Sequence, residues 1–139
     1  MLKIGLIGFG IWGKKILHSL VRLGCRGVVY DILPYQRTEN HDLFQFEADF
    51  DDFLSYEMDG YVVASATSSQ KEILLILSSL NKPIFIEKPL VNSREYYLIL
   101  RKSNLHNVFM MHIWKYHPGV RLLKTISKSN QLGRLLGVK

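Results

Sequence analysis

The chain has 139 residues, 47% of them hydrophobic and 22% charged. This is ordinary globular composition at about the length of one domain. It excludes a disordered tail, a collagen-like repeat and a low-complexity segment, and no apolar run approaches the roughly 18 residues of a membrane span.

The net charge of +6 is unevenly spread. Residues 1–93 carry nine Lys/Arg against eleven Asp/Glu, whereas residues 94–139 carry nine Lys/Arg against Glu95 alone. A basic C-terminal third suits nucleic acid, a phosphorylated substrate or an acidic partner. Its charges are spaced through apolar helical patterns, which favours a solvated helix face or a surface covered by another part of a larger protein. Cys25 stands alone, so neither an intrachain disulfide nor a multi-cysteine zinc site is expected. The start, Met1–Gly5, lacks the succession of a signal peptide. A reducing, cytoplasmic setting and no membrane attachment are the expectation.

In chain order, Lys3–Phe9 reads as a strand buried on both faces, running into glycines. Ile16, Leu17, Leu20, Val21 and Leu23 have helical spacing, and Gly24 follows where a left-handed cap belongs. Gly27–Asp31 is a second strand ending in an acid. Residues 32–45 are irregular, Phe46–Ala48 is a weak strand, and Asp49 opens a short helix containing Phe50, Phe53 and Leu54. Tyr61–Ser65 is a strand. Ser69 and Glu72 have capping-box spacing ahead of the apolar run Ile73–Leu80. Pro83–Ile86 is a strand, Ser93–Lys102 a helix and Val108–Met111 a strand. His117-Pro118 opens a helix that Gly133 stops, and Leu135–Val138 resembles the start of one more strand. Strands alternating with helices imply an α/β fold of Rossmann type, a doubly wound and mostly parallel sheet with right-handed crossovers.

Gly8-Phe9-Gly10-Ile11-Trp12-Gly13 matches G-x-G-x-x-G between a predicted strand and a predicted helix. In that context the first glycine permits the tight turn. The second lets a pyrophosphate approach the backbone, and the third lets helix and strand pack closely. The helix N-terminus offers N–H groups and a partial positive charge to phosphates. Asp31 lies 18 residues beyond Gly13, where an acid accepts hydrogen bonds from the adenosine ribose hydroxyls. It repels a 2′-phosphate, which favours NAD, while Arg37 nearby leaves NADP as the alternative.

Three further segments carry a family resemblance: Ala64-Ser65-Ala66-Thr67, Glu87-Lys88-Pro89, and His112 through Pro118. In this order, with the glycine turn at residue 8, the whole chain resembles the N-terminal domain of the glucose–fructose oxidoreductase / inositol 2-dehydrogenase / MocA family. The resemblance implies an NAD(P)-dependent oxidoreductase acting by hydride transfer on a sugar, cyclitol or sugar nucleotide. Lys88 would be the catalytic lysine beside nicotinamide and substrate hydroxyl, with Pro89 after a cis peptide bond. Cofactor contacts would come from Gly8, Phe9, Gly10, Ile11, Trp12, Gly13, Asp31, Ala66, Thr67, Glu87, Lys88 and Pro89. The sequence departs from the family at Ser68-Ser69-Gln70-Lys71, where proline and histidine are common, and at Met111, where glycine is common.

The family's second, sheet-rich domain supplies most of the substrate pocket and has no counterpart here. Residues 1–116 are therefore expected to form the dinucleotide-binding domain. Residues 117–139 would be a linking helix and the first strand of a truncated second domain, leaving the chain inactive by itself. The implied partner is a small-molecule substrate of a longer parent enzyme. Nucleic acid is not expected, and a homo-oligomer is compatible with the family. His112 and His117 lie five apart with no acid or cysteine between them, so no metal is expected. Trp114 and Tyr116 suit either a cover for the nicotinamide end of a cleft or core and interface packing. The alternative function is a non-catalytic domain that senses NAD or another adenine nucleotide.

Overall fold

The computed structural model describes residues 1–33, 42–103, 105–129 and 133. Arg37 and the strand expected over 135–138 lie outside them. Six strands are present: β1 (Lys3–Ile7), β2 (Arg26–Tyr30), β3 (Phe44–Glu47), β4 (Gly60–Val63), β5 (Ile84–Ile86) and β6 (Val108–Met110). All pair in parallel in the order β3-β2-β1-β4-β5-β6. The order runs outward in both directions from β1 and β4, as in a doubly wound sheet. The central strands read as apolar runs because helices can cover both their faces.

One face is covered by three helices: α2 (Phe50–Ser55), α3 (Thr67–Ser78) and α4 (Arg94–Lys102). They bury Phe53, Leu74, Leu77, Tyr96 and Leu100 against Ile7, Val28, Val63, Ile84 and Ile86. The other face is covered by α1 (Ile11–Arg22), whose Leu17 packs with Leu6, Val29 and Val62. Beyond β6 come a single-turn 3₁₀ helix (Ile113–Tyr116) and α5 (Pro118–Lys128), in which no residue is buried.

Local chemistry explains the element boundaries. Asp49 caps α2, its Oδ1 accepting from the N–H groups of Asp51 and Asp52 at 2.8 and 2.9 Å. Ser93 caps α4 through Tyr96 N–H at 3.1 Å. Gly24 ends α1 with φ of +71°. Three expectations need correction. The strand near Phe46 begins at Phe44 and ends at Glu47, drawn into register by pairing Gly27–Tyr30 with Phe44–Glu47. The expected Ser69–Glu72 box does not cap α3. The helix already starts at Thr67, and the Ser69 hydroxyl instead donates to the Ala66 carbonyl at 2.9 Å, inside the first turn. Finally, α5 stops at Lys128 and is capped at Ser129, short of Gly133.

Two substitutions test this core. Phe53 is fully buried among the rings of Tyr30, Phe50 and Tyr61, so Phe53→Ala should cost about 3–5 kcal/mol in denaturant unfolding. The Tyr96 hydroxyl is buried without a hydrogen-bond partner, and burial, followed by the Glu72 carboxylate, raises its pKa. A raised folded-state pKa means that stability is complete below the ordinary tyrosine value and falls as the pH climbs past it. Tyr96→Phe should therefore be neutral or stabilising by about 1 kcal/mol at pH 7. It should also lose less stability than the wild type in thermal melts above about pH 10.

Candidate functional site

The sequence-predicted glycines sit where β1 meets α1, at the carboxyl ends of the strands. Gly8 has φ of +94°, and a Cβ there would lie 2.6 Å from the Ser65 backbone nitrogen. A Cβ on Gly13 would overlap the Gly8 carbonyl oxygen. Gly10 is different. Its φ of −70° is open to any residue, and nothing lies within 4 Å of the place its Cβ would take. The first turn of α1 holds no acid, and Gly10 offers no side-chain cap. The positive end of the helix therefore opens onto free space, the arrangement that suits a phosphate.

Asp31 is half-buried at the end of β2. Its Oδ2 accepts from the Phe9 N–H at 2.6 Å and its Oδ1 from the Leu33 N–H at 2.8 Å. The carboxylate thus ties the glycine turn to the loop after β2. Two of its roughly four acceptor positions are used, which leaves capacity for ligand hydroxyls. Burial first, and the Asp31 and Asp49 carboxylates next, raise the pKa of the neighbouring Tyr30 phenol.

Gly8, Gly10, Tyr30, Asp31, Ala64 and Ala66 line one crevice of about 320 Å³. It lies across the carboxyl ends of β2, β1 and β4, where the strand order reverses. Ligands of open parallel sheets collect at this place. Ile7, Ile32, Leu33, Ser65, Ser69 and Ile73 also line it, none of them expected from the sequence as a site residue. Gln70 also went unrecognised. It is buried in α3 and donates from Nε2 to the Ser65 carbonyl at 3.1 Å, bracing the β4–α3 turn. Its only sequence signal was its departure from the family pattern.

Phe9 is fully buried against Phe46, with ring centroids 4.9 Å apart, so its side chain belongs to the core. Ile11 and Trp12 are exposed at the start of α1. Thr67 is the first residue of α3. Glu87, Lys88 and Pro89 follow β5, one strand beyond β4, and do not line the crevice. Glu87 Oε2 accepts from the Lys88 N–H at 3.2 Å, Lys88 is exposed, and the Lys88–Pro89 peptide is cis. His117 caps α5, its Nδ1 accepting from the Gly119 N–H at 3.2 Å. Trp114 and Tyr116 are exposed and take no part in the core.

No protein-family model matches the sequence, and no curated protein matches it. Solved structures do match the fold. The chain superposes on scyllo-inositol dehydrogenase from Lactobacillus casei, solved with NAD(H) and scyllo-inositol, with a TM-score of 0.82 at 18% identity. That match covers 96% of this chain and 42% of the other. The WlbA dehydrogenase from Chromobacterium violaceum, in complex with NADH and UDP-GlcNAcA, gives 0.82 at 18% identity, covering 96% and 41%. A myo-inositol dehydrogenase from Corynebacterium glutamicum gives 0.84 at 18%, covering 97% and 43%. The likeness is one of fold, and the chain spans about two-fifths of the length of these structures.

The last position of the glycine turn should separate from the middle one in stability. Gly13→Val should cost more than about 4 kcal/mol, because the turn must rearrange. Gly10→Val should stay within about 1 kcal/mol of wild type. Thermal or urea unfolding of both variants checks this.

Proposed function

We propose that the chain is the cofactor-binding domain of an NAD-dependent oxidoreductase of the glucose–fructose oxidoreductase / inositol 2-dehydrogenase / MocA family. Its substrate would be a sugar, cyclitol or sugar nucleotide. The observation that carries the reading is the crevice at the strand-order reversal, where Gly10 leaves an open approach to the start of α1 and Asp31 stands at the adjacent strand end. The bound substrates of the fold neighbours support the substrate class. The sensor alternative draws no support from these neighbours, which are dehydrogenases. In this reading residues 1–116 bind the cofactor, and residues 117–139 lead toward a substrate-binding part of a longer enzyme.

Bound NAD supplies the hydride acceptor. The backbone of Gly8–Gly13 and the α1 N-terminus hold its pyrophosphate, with Ile11 and Trp12 flanking that turn. Phe9 contributes through the backbone and core packing. Asp31 receives the ribose hydroxyls and disfavours a 2′-phosphate. Ala66 and Thr67 bound the site from the β4 side, and Glu87 and Pro89 frame Lys88. The Lys88 side chain hydrogen-bonds the reacting oxygen: as the neutral amine it accepts the hydroxyl proton when substrate is oxidised, and as the ammonium it returns that proton in the reverse direction. Such an interaction gains strength as charge develops, so it lowers the barrier without tightening cofactor binding.

Fluorescence titration should show NADH binding more tightly than NADPH, with equal or inverted affinities contradicting the role of Asp31. Gly10→Val should abolish NADH binding while the fold persists. Lys88→Met should leave NADH affinity nearly unchanged. In a longer polypeptide that joins this chain to a substrate-binding domain, it should lower kcat about 10²–10⁴-fold. A near-normal kcat there would reduce Lys88 to an ordinary lysine after a strand.

A further inference from the structure

The sheet register places one residue from every strand in a single row: Phe46, Val29, Leu6, Val62, Phe85 and Phe109. All six are apolar and share the face that α1 covers, since side chains at paired positions of parallel strands point the same way. Under α1 the row is closed, with Leu6 and Val29 fully buried. Past β4 it is bare. Phe85 is 46% exposed and Phe109 50%, their rings stacked at 5.4 Å. The opposite face of the same two strands is closed by α3 and α4 over Ile84 and Ile86. Among the described residues the second helical layer is thus half complete.

The rim of the bare face has a definite charge. A groove of about 570 Å³ runs from Phe85 and Phe109 past Met111 and Ile113 to Lys115 and Tyr116. A second groove continues from Lys115 and Tyr116 along α5 past Arg121 and Lys124. No acid lies between Glu95 and Ser129, and Glu95 itself pairs with Lys71 of α3 at 3.8 Å, on the covered face. Seven of the chain's twelve carboxylates gather at the far side of the sheet. Asp42, Glu47, Asp49, Asp51, Asp52, Glu57 and Asp59 lie on or near β3 and α2, with no Lys or Arg from residue 38 to 70.

We propose that the β5–β6 face receives one α-helix of a separate polypeptide, apolar along its inner stripe and acidic along the flank that meets Lys115, Arg121 and Lys124. Two strands about 4.8 Å apart present a strip that one helix of about 10 Å diameter covers, as α1 does on the other half. A helix of a second copy does not fit this chemistry. Among the described helices of this chain α4 and α5 are basic, and the acidic α2 is six residues long with Phe53 already buried. The proposal does not depend on cofactor binding.

The test uses a fluorescein-labelled Leu/Glu peptide of roughly 16 residues, with leucines at helical spacing, and its Leu/Lys counterpart, long enough to form a helix on docking. Anisotropy titration of the wild-type chain at low salt should show the Leu/Glu peptide binding at least about tenfold more tightly than Leu/Lys. That preference should shrink as salt shortens the screening length. Phe109→Asp should abolish binding of the Leu/Glu peptide. Arg121→Glu with Lys124→Glu should invert the preference. All three residues are exposed, and an unchanged melting temperature shows that each variant is folded. Equal affinity for both peptides, or no binding of either, overturns the proposal. So does a concentration-dependent dimer in sedimentation that Phe109→Asp dissolves, which would assign the face to a second copy.

Discussion

The architecture depends on how closely α1 approaches the end of β1. The carbonyl of Gly8 occupies the volume that any side chain on Gly13 would need, and the turn of Gly8 presses on Ser65 at the end of β4. Three chain segments therefore meet with no side chain between them. This closeness brings the α1 N-terminus to the point where β1 and β4 diverge in connection. Helix dipole, free space at Gly10 and the β4–α3 turn then share one crevice. Asp31 reinforces the contact from β2 by holding the Phe9 N–H.

That same carboxylate links fold and function. An acid at this strand end contributes to the turn even without a ligand, because both of its oxygens accept backbone N–H groups. Its two partners lie on separate segments, so the glycine turn and the loop after β2 are mechanically joined. In the proposed function, the ribose and pyrophosphate parts of one ligand would be received by a single braced unit. Gln70 performs the corresponding work on the β4 side through the Ser65 carbonyl.

Much of this was legible in the sequence. Buried strands announce themselves as apolar runs, and Ile4–Ile7, Val28–Tyr30 and Ile84–Ile86 all fall where expected. The glycine turn was legible because its spacing follows from sterics that admit few solutions. Asp49 and Ser93 were readable as helix starts, and Ser93 caps through its own hydroxyl. The Ser69–Glu72 spacing misled because a serine in the first turn bonds a carbonyl three residues back as readily as it caps. The bond from Asp31 to Phe9 spans 22 residues, and no local pattern encodes it. Gln70 was given no role from the sequence because its value lies in its burial. The bare Phe85–Phe109 surface needed the register, which sequence periodicity does not supply across strands.

The central claim is that the crevice at the strand-order reversal is a dinucleotide site. Titrating NADH into ¹⁵N-labelled protein and following backbone amide shifts tests it most directly. The account predicts saturable shifts concentrated at Gly8–Gly13, Asp31–Leu33 and Ala64–Ser69, with little change at the amino ends of the strands around Lys3, Arg26 and Met58. Saturable shifts centred on that opposite end, or no shifts at millimolar NADH in a folded sample, would contradict it.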